Sequence, residues 1–189
     1  MLTGKKVLVI GLAKSGKAAV RLLKKLNATI TVNEFQEASK IPEYQQYLDD
    51  GIEMITGGHP DELFERDFDF VIKNPGINYH KPFILRLKER NIPVYTEIEL
   101  AYQVAKKQHY IGVTGTNGKT TTVTLIDKIL KGQYQNVHLA GNVGMPLCDI
   151  VLDHNLLEEE NHYILPEADS GTGWPSTFPP PSGNCTRMP

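Results

Sequence analysis

The segment Thr114-Gly115-Thr116-Asn117-Gly118-Lys119-Thr120-Thr121 limits what this chain can fold into more than any other. Before it runs Tyr110-Ile111-Gly112-Val113-Thr114, a β-branched stretch that reads as a strand. After it, from Lys119, Val123, Ile126, Ile129 and Leu130 fall on one side at helical spacing. A strand feeding a helix through such a loop is the unit of a parallel α/β fold. The glycines let backbone N–H groups turn inward around a phosphate chain, and the helix N-terminus adds a positive partial charge. Lys119 is then placed for the β- and γ-phosphates and the Thr120 hydroxyl for a magnesium ion. The general P-loop pattern asks for glycine five positions before Gly118, where this chain has Val113 with Gly112 beside it. An ordinary glycine-rich strand–helix turn is the competing reading.

The first hundred residues alternate in the same way. Residues 6–10 are an apolar run closed by Gly11, which predicts a buried parallel strand. Ser15 is a candidate helix cap, followed by Ala19, Leu22, Leu23 and Leu26 at helical spacing. Further strands are predicted at 28–32, 68–72 and 94–95, with a short run at 52–55. Helices are predicted from Pro82 to about 90 and over 97–107, and the turn Asn74-Pro75-Gly76 follows the strand at 68–72. The pattern implies a Rossmann-like, doubly wound domain over 1–106 and the start of a P-loop α/β domain over 107–165, with strands at 136–140 and 161–165. Residues 166–189 hold six of the twelve prolines and show no periodicity, so a disordered tail is expected there.

Gly11-Leu12-Ala13-Lys14-Ser15-Gly16 occupies the place of a dinucleotide fingerprint. Ala13 stands where the second glycine lets the backbone approach a pyrophosphate. Glu34, at the end of the second strand, is placed for a ribose hydroxyl, so NAD stays open as a ligand. Phe35 is either a stacking platform for a base or a core residue. A net charge of −2 with 22% charged residues gives no reason to expect nucleic acid or a membrane surface as partner. No apolar run approaches the roughly 20 residues that span a bilayer, and the run at 7–10 is too short for a signal core, which predicts a cytoplasmic protein. Cys148 and Cys185 show no metal or redox spacing, and the six scattered histidines read as surface or packing residues.

Gly-Thr-Asn-Gly-Lys-Thr-Thr at 115–121 resembles the ATP loop of the Mur ligases and of the folylpolyglutamate synthetases. Gly141-Asn142-Val143-Gly144 followed by Pro146 resembles the Mur Gly-Asn-Ile-Gly-x-Pro segment. Asn74-Pro75-Gly76-Ile77 and Glu97-Ile98-Glu99-Leu100 resemble the Ser-Pro-Gly-Ile turn and Glu-Ile-Glu-Leu helix of the D-glutamate-adding member. The resemblance covers residues 1 to about 165. It implies that ATP is held by Gly115, Thr116, Asn117, Gly118, Lys119, Thr120 and Thr121, with Lys119 and Thr120 catalytic. It implies that UDP-N-acetylmuramoyl-L-alanine is held by the first glycine-rich turn, with Ser15 at the pyrophosphate, Gly76 nearby and Asn142 at the muramoyl end. Lys14 is a further candidate at the pyrophosphate, and Phe35, which with Gln36 stands where the family often has Thr-Arg, is a candidate to stack on uracil.

The implied reaction phosphorylates the substrate carboxylate with ATP, and the amine of D-glutamate then attacks the acyl phosphate. Magnesium is implied at Thr120 and at Glu167, which stands one position away from the family's Glu-x-Ser-Ser-Phe glutamate. The family's later histidine, lysine and C-terminal domain have no counterpart here, so the chain is expected to be a monomeric N-terminal fragment without ligase turnover. A non-catalytic UDP-sugar-binding module, another Mur ligase or folylpolyglutamate synthetase-like enzyme, and an NAD-binding Rossmann protein are the alternatives.

Overall fold

The computed structural model describes residues 2–113, 115–141 and 144–167. The first sheet contains β1 (Lys6–Ile10), β2 (Thr29–Glu34), β3 (Glu53–Thr56), β4 (Phe70–Lys73) and β5 (Val94–Tyr95). All pairings are parallel, in the order β3-β2-β1-β4-β5. The helices α1 (Lys14–Lys25), α2 (Tyr44–Asp49), α3 (Pro82–Glu89) and α4 (Glu97–Val104) connect or flank these strands. Chain direction across the sheet reverses between β1 and β4, so the loops leaving those strands part and open a crevice at their carboxyl ends.

Strand β1 has no exposed side chain from Val7 to Ile10 because both faces of the sheet are covered. Val7 and Val9 pack with Ala19, Leu22 and Leu23 of α1, while Leu8 and Ile10 pack with Phe64, Ile84 and Leu87 on the opposite face. This explains why the strand reads as a continuous apolar run and not as an alternating one. Helix α1 sits so close to the preceding loop that a Cβ on Gly16 would lie 1.9 Å from the Gly11 carbonyl oxygen. Its N-cap is Ala13 without a side-chain cap bond, so the expected capping role of Ser15 is corrected: Ser15 lies inside the first turn. Helix α4 is closed by a reciprocal capping box, in which the Thr96 hydroxyl accepts from the Glu99 N–H and the Glu99 carboxylate accepts from the Thr96 N–H.

The second sheet has the order β6-β8-β7, from β6 (His109–Tyr110), β7 (Val137–Gly141) and β8 (Tyr163–Glu167), with α5 (Lys119–Lys131) and α6 (Leu147–Asp153). Two strand expectations are corrected. The strand predicted over 110–114 pairs regularly only at His109–Tyr110, with one isolated bridge from Val113 to Glu167. The strand predicted at 161–165 runs instead through Pro166 and Glu167, residues assigned to the tail, and lies in the middle of its sheet.

Proline is tolerated in that central position because of which neighbour its missing donor faces. The carbonyls of His162, Ile164 and Pro166 accept from His109, Ile111 and Val113, so the even positions point at β6. The ladder there is already interrupted, while the β7 side is paired from Val137 to Gly141.

Helix α6, a segment with no predicted element, packs on α1 and α4. Leu147, Cys148, Ile150 and Val151 join Leu22, Leu23, Leu100 and Ala101 in one buried cluster. Outside the core, Arg21 holds both carboxylate oxygens of Asp149, with its Nη2 at 2.6 and 2.7 Å. The first and second units therefore share one buried core. Helix α5 is less covered: Val123 is buried, but Leu125 and Ile129 are 58% and 61% exposed, so Ile129 does not lie on the buried side as predicted. Among the described residues no helix is long and apolar enough to cross a membrane.

The shared core has a measurable consequence. Leu147 is fully buried where α6 meets the first unit, so Leu147→Ala should cost about 3 kcal/mol. Urea unfolding should still show a single transition, at lower denaturant; an unchanged midpoint for the first unit would mean that it folds independently.

Candidate functional site

A cavity of about 450 Å³ opens in the crevice at the carboxyl ends of β1, β2 and β4. Gly11, Leu12 and Ala13 form one wall, Glu34 at the end of β2 and Phe35 just after it form another, and Asn74 also lines the cavity. Glu34 is already engaged: its carboxylate accepts from the Leu12 N–H at 2.5 Å and from the Gln36 N–H at 3.1 Å. Each of its two oxygens, one of which a dinucleotide's ribose hydroxyl would have to reach, thus already accepts from a backbone donor. Phe35 is 70% exposed on the rim, so of its two readings the core one is excluded.

The other residues expected at this cavity sit differently. Ser15 does not line it, and Lys14 turns away to donate from Nζ to the Gly144 carbonyl at 3.1 Å, linking the first glycine-rich turn to the loop after β7. Lys17 and Lys40 are the lining lysines; Lys17 is paired with Glu43 at 2.7 Å and holds the Glu43 carboxyl below its ordinary range. The Gly76 N–H donates to Asn74 Oδ1 at 3.0 Å, and Asn74 and Ile77 line the cavity in place of Gly76. The buried Lys73 braces this turn, donating to the carbonyls of Asn74 and Ile77 at 3.3 and 2.9 Å with Tyr79 stacked on its ammonium group at 4.0 Å.

The second glycine-rich loop runs from Gly115 into α5. Gly118, the N-cap of α5, has φ of 76°, and Gly115 has φ of 153°, conformations that side chains resist. Lys119 folds back so that its Nζ donates to the Gly115 carbonyl at 2.8 Å. Thr116, Asn117, Gly118, Thr120 and Thr121 are exposed along the loop and the first turn of α5. The Thr120 hydroxyl donates toward the Glu167 carboxylate, at 3.3 and 3.4 Å from its two oxygens.

Glu167 is buried at the end of β8, and its backbone is packed so tightly on Gly141 that a Cβ there would lie 2.7 Å from the Glu167 carbonyl oxygen. The structure thus brings together the two residues singled out for magnesium, 47 positions apart in sequence. Their donors, one hydroxyl and one carboxylate, are hard oxygens suited to that ion, which takes its remaining ligands from phosphates and water. Asn142 lies outside the described residues, as do Thr114 and the tail from Ala168 onward.

Two features were not legible in the sequence. Glu97, at the start of α4, is completely buried and accepts a short hydrogen bond from the Cys148 N–H at the start of α6. Burial pushes its carboxyl up to about 7, against the opposing effect of that bond. His138, His154 and His162, read as scattered, form one cluster in which His138 Nε2 and His162 Nδ1 are 2.9 Å apart. Burial and the two neighbouring rings lower His138 to about 4. Among the described residues no group of three or more His, Cys, Asp or Glu side chains is arranged to hold a metal.

Comparison with known proteins agrees with this geometry. Residues 5–96 match the family model described as Mur ligase MurD-like, N-terminal domain, and residues 113–170 match the Mur ligase middle domain. The chain belongs to the Mur ligase family. It is 50% identical over 147 residues to the UDP-N-acetylmuramoylalanine–D-glutamate ligase of Streptococcus agalactiae, a match covering 78% of this chain and 32% of that protein. The ligase of the same name from Streptococcus sanguinis is 49% identical over 146 residues, again with 32% of its length covered. The chain therefore spans about a third of the length of these curated relatives.

A murein peptide ligase from Psychrobacter arcticus has the same fold over 88% of this chain and 38% of its own, with a TM-score of 0.51 and 20% identity. The middle-domain match reaches residue 170, so the family pattern runs past Leu165, where it was expected to stop.

The buried Glu97 makes stability depend on pH with a definite sign. Its folded value of about 7 lies above the unfolded 4.5, so the stabilisation is full below pH 4.5 and is lost as pH rises through 7. Glu97→Gln keeps the acceptor for Cys148 and does not ionise. It should match the parent protein near pH 4.5 and exceed it by roughly 3 kcal/mol at pH 9. The histidine cluster acts in both proteins and cancels in the difference. Urea unfolding across this range checks it, and a difference that does not vary with pH contradicts the assignment.

Proposed function

We propose that these residues form the UDP-substrate and ATP sites of a ligase that joins D-glutamate to UDP-N-acetylmuramoyl-L-alanine in peptidoglycan synthesis, acting in the cytoplasm. The observation that carries the reading is the meeting of Thr120 with Glu167 beside the Gly115–Gly118 loop. An acid at the end of a strand, facing the hydroxyl at the start of the loop's helix, is the pair of donors that a magnesium nucleotide requires. The identity to the D-glutamate ligases supports the choice of substrate.

In this reading the β- and γ-phosphates sit on the N–H groups of the loop and the first turn of α5, where the helix dipole favours negative charge. Lys119 leaves the Gly115 carbonyl and donates to the phosphates, placing a positive charge where negative charge grows during transfer. Magnesium bound at Thr120 and Glu167 supplies further neutralisation of phosphate charge. The cavity beside Gly11–Ala13 takes the UDP end of the substrate, and Lys14, by joining that turn to Gly144, sets its distance from the loop after β7. Turnover is proposed for an architecture of the relatives' full length, of which this chain spans about a third.

Two measurements test the two halves. Calorimetric titration should show UDP binding more tightly than NAD, since Ala13 stands where a dinucleotide fingerprint needs its second glycine; tighter binding of NAD overturns the substrate half. Lys119→Ala should weaken ATP binding about ten- to a hundredfold, the loss of one charge-assisted contact, with UDP affinity unchanged. ATP affinity that survives Lys119→Ala intact overturns the ATP half.

A further inference from the structure

At the end of the cavity formed by Phe35 and His59, one side chain has its hydrogen-bonding character fixed by its surroundings. Asn33 is fully buried on β2, and its amide nitrogen donates to two backbone carbonyls, Ile55 at 3.1 Å and Gly58 at 2.8 Å. Carbonyl oxygens only accept, so that end of the amide is the NH2 group and the other end is the oxygen. The oxygen lies 2.5 Å from Nδ1 of His59, and an acceptor so close requires Nδ1 to carry a proton.

Burial lowers His59 below the ordinary histidine range, Lys81 acts in the same direction and Glu34 opposes both. A neutral ring protonated at Nδ1 presents Nε2 as a bare acceptor. Nε2 has no hydrogen-bond partner among the described residues, and the buried side-chain atoms without a partner are Glu43 Oε2 and Asp127 Oδ1, so Nε2 is open to solvent. The ring is held in place by Phe83, with centroids 4.7 Å apart, and by Phe35 at 5.7 Å.

We propose that His59 is the specificity-determining residue for the base of the bound nucleotide, its Nε2 accepting the N3–H of uracil beside the exposed face of Phe35. Cytosine offers an acceptor at N3, so two lone pairs would face each other and both would lose their water. A site built around a fixed acceptor rejects a ligand lacking the matching donor more strongly than an apolar pocket rejects one of altered size. The inference rests on reading this cavity as the uridine diphosphate site.

Titration calorimetry of the whole chain with UDP, CDP and N3-methyl-UDP tests it. UDP should bind about ten- to a hundredfold more tightly than either of the others. His59→Phe retains the aromatic contacts with Phe35 and Phe83 and removes the acceptor. It should bring UDP and CDP within about twofold of each other, given the usual worth of one such contact. If the variant does not fold, N3-methyl-UDP on the unaltered chain still decides the matter. Equal binding of UDP and N3-methyl-UDP, or an undiminished preference in His59→Phe, overturns the role of His59 and leaves the uridine diphosphate reading standing. Failure of UDP itself to bind overturns both.

Discussion

Helix α1 depends on the absence of one side chain. With a Cβ at Gly16 placed 1.9 Å from the Gly11 carbonyl, no other residue allows the helix to rest on the loop that leaves β1. That approach puts Ala18, Ala19, Leu22 and Leu23 into the core and aims the helix N-terminus along the wall of the cavity. It also leaves the outer side of α1 free to receive α6, through buried Val151 and Ile150 and the Arg21–Asp149 pair. The first unit, the substrate cavity and the attachment of the second unit all depend on one close contact between backbones.

The second unit is organised around β8. Its two neighbours in the sheet, β6 and β7, both precede it in the chain, and Ile164 and Leu165 are buried between them. A strand in that position delivers its last residue to the loop before α5. Glu167 therefore reaches Thr120, and Gly141 has to be glycine because the backbone of Glu167 fills the space a side chain would take. The candidate ATP site is thus a product of sheet order as much as of the loop sequence.

Buried ionisable groups mark the places where the two units touch and where the second is folded together. Glu97 sits between α4 and α6, and the histidine cluster joins β7, the end of α6 and the approach to β8. Their effects on stability run in opposite directions. A raised carboxyl favours the folded state at low pH, while lowered histidines disfavour it there. The balance between them belongs to the assembled core, since neither group is perturbed in an extended chain.

The sequence by itself determined the alternation of strands and helices, the parallel sheet around Val7–Ile10, both glycine-rich turns and the family. Each of these is written in local terms: continuous apolar runs, helical spacing, and glycines where the backbone must turn. It also singled out Lys119, Thr120 and Glu167. What only the tertiary structure decided is how residues distant in sequence meet. The pairing of Thr120 with Glu167, the placing of α6 against α1 and α4, the turning of Lys14 toward Gly144, and the gathering of three histidines all join segments separated by many residues. Hydrophobic periodicity reports which face of an element is buried and not what covers it, so Ile129 fitted a helical stripe and yet lies exposed. Likewise Pro166 argued against a central strand until the sheet showed that its missing donor faces the interrupted side of the ladder.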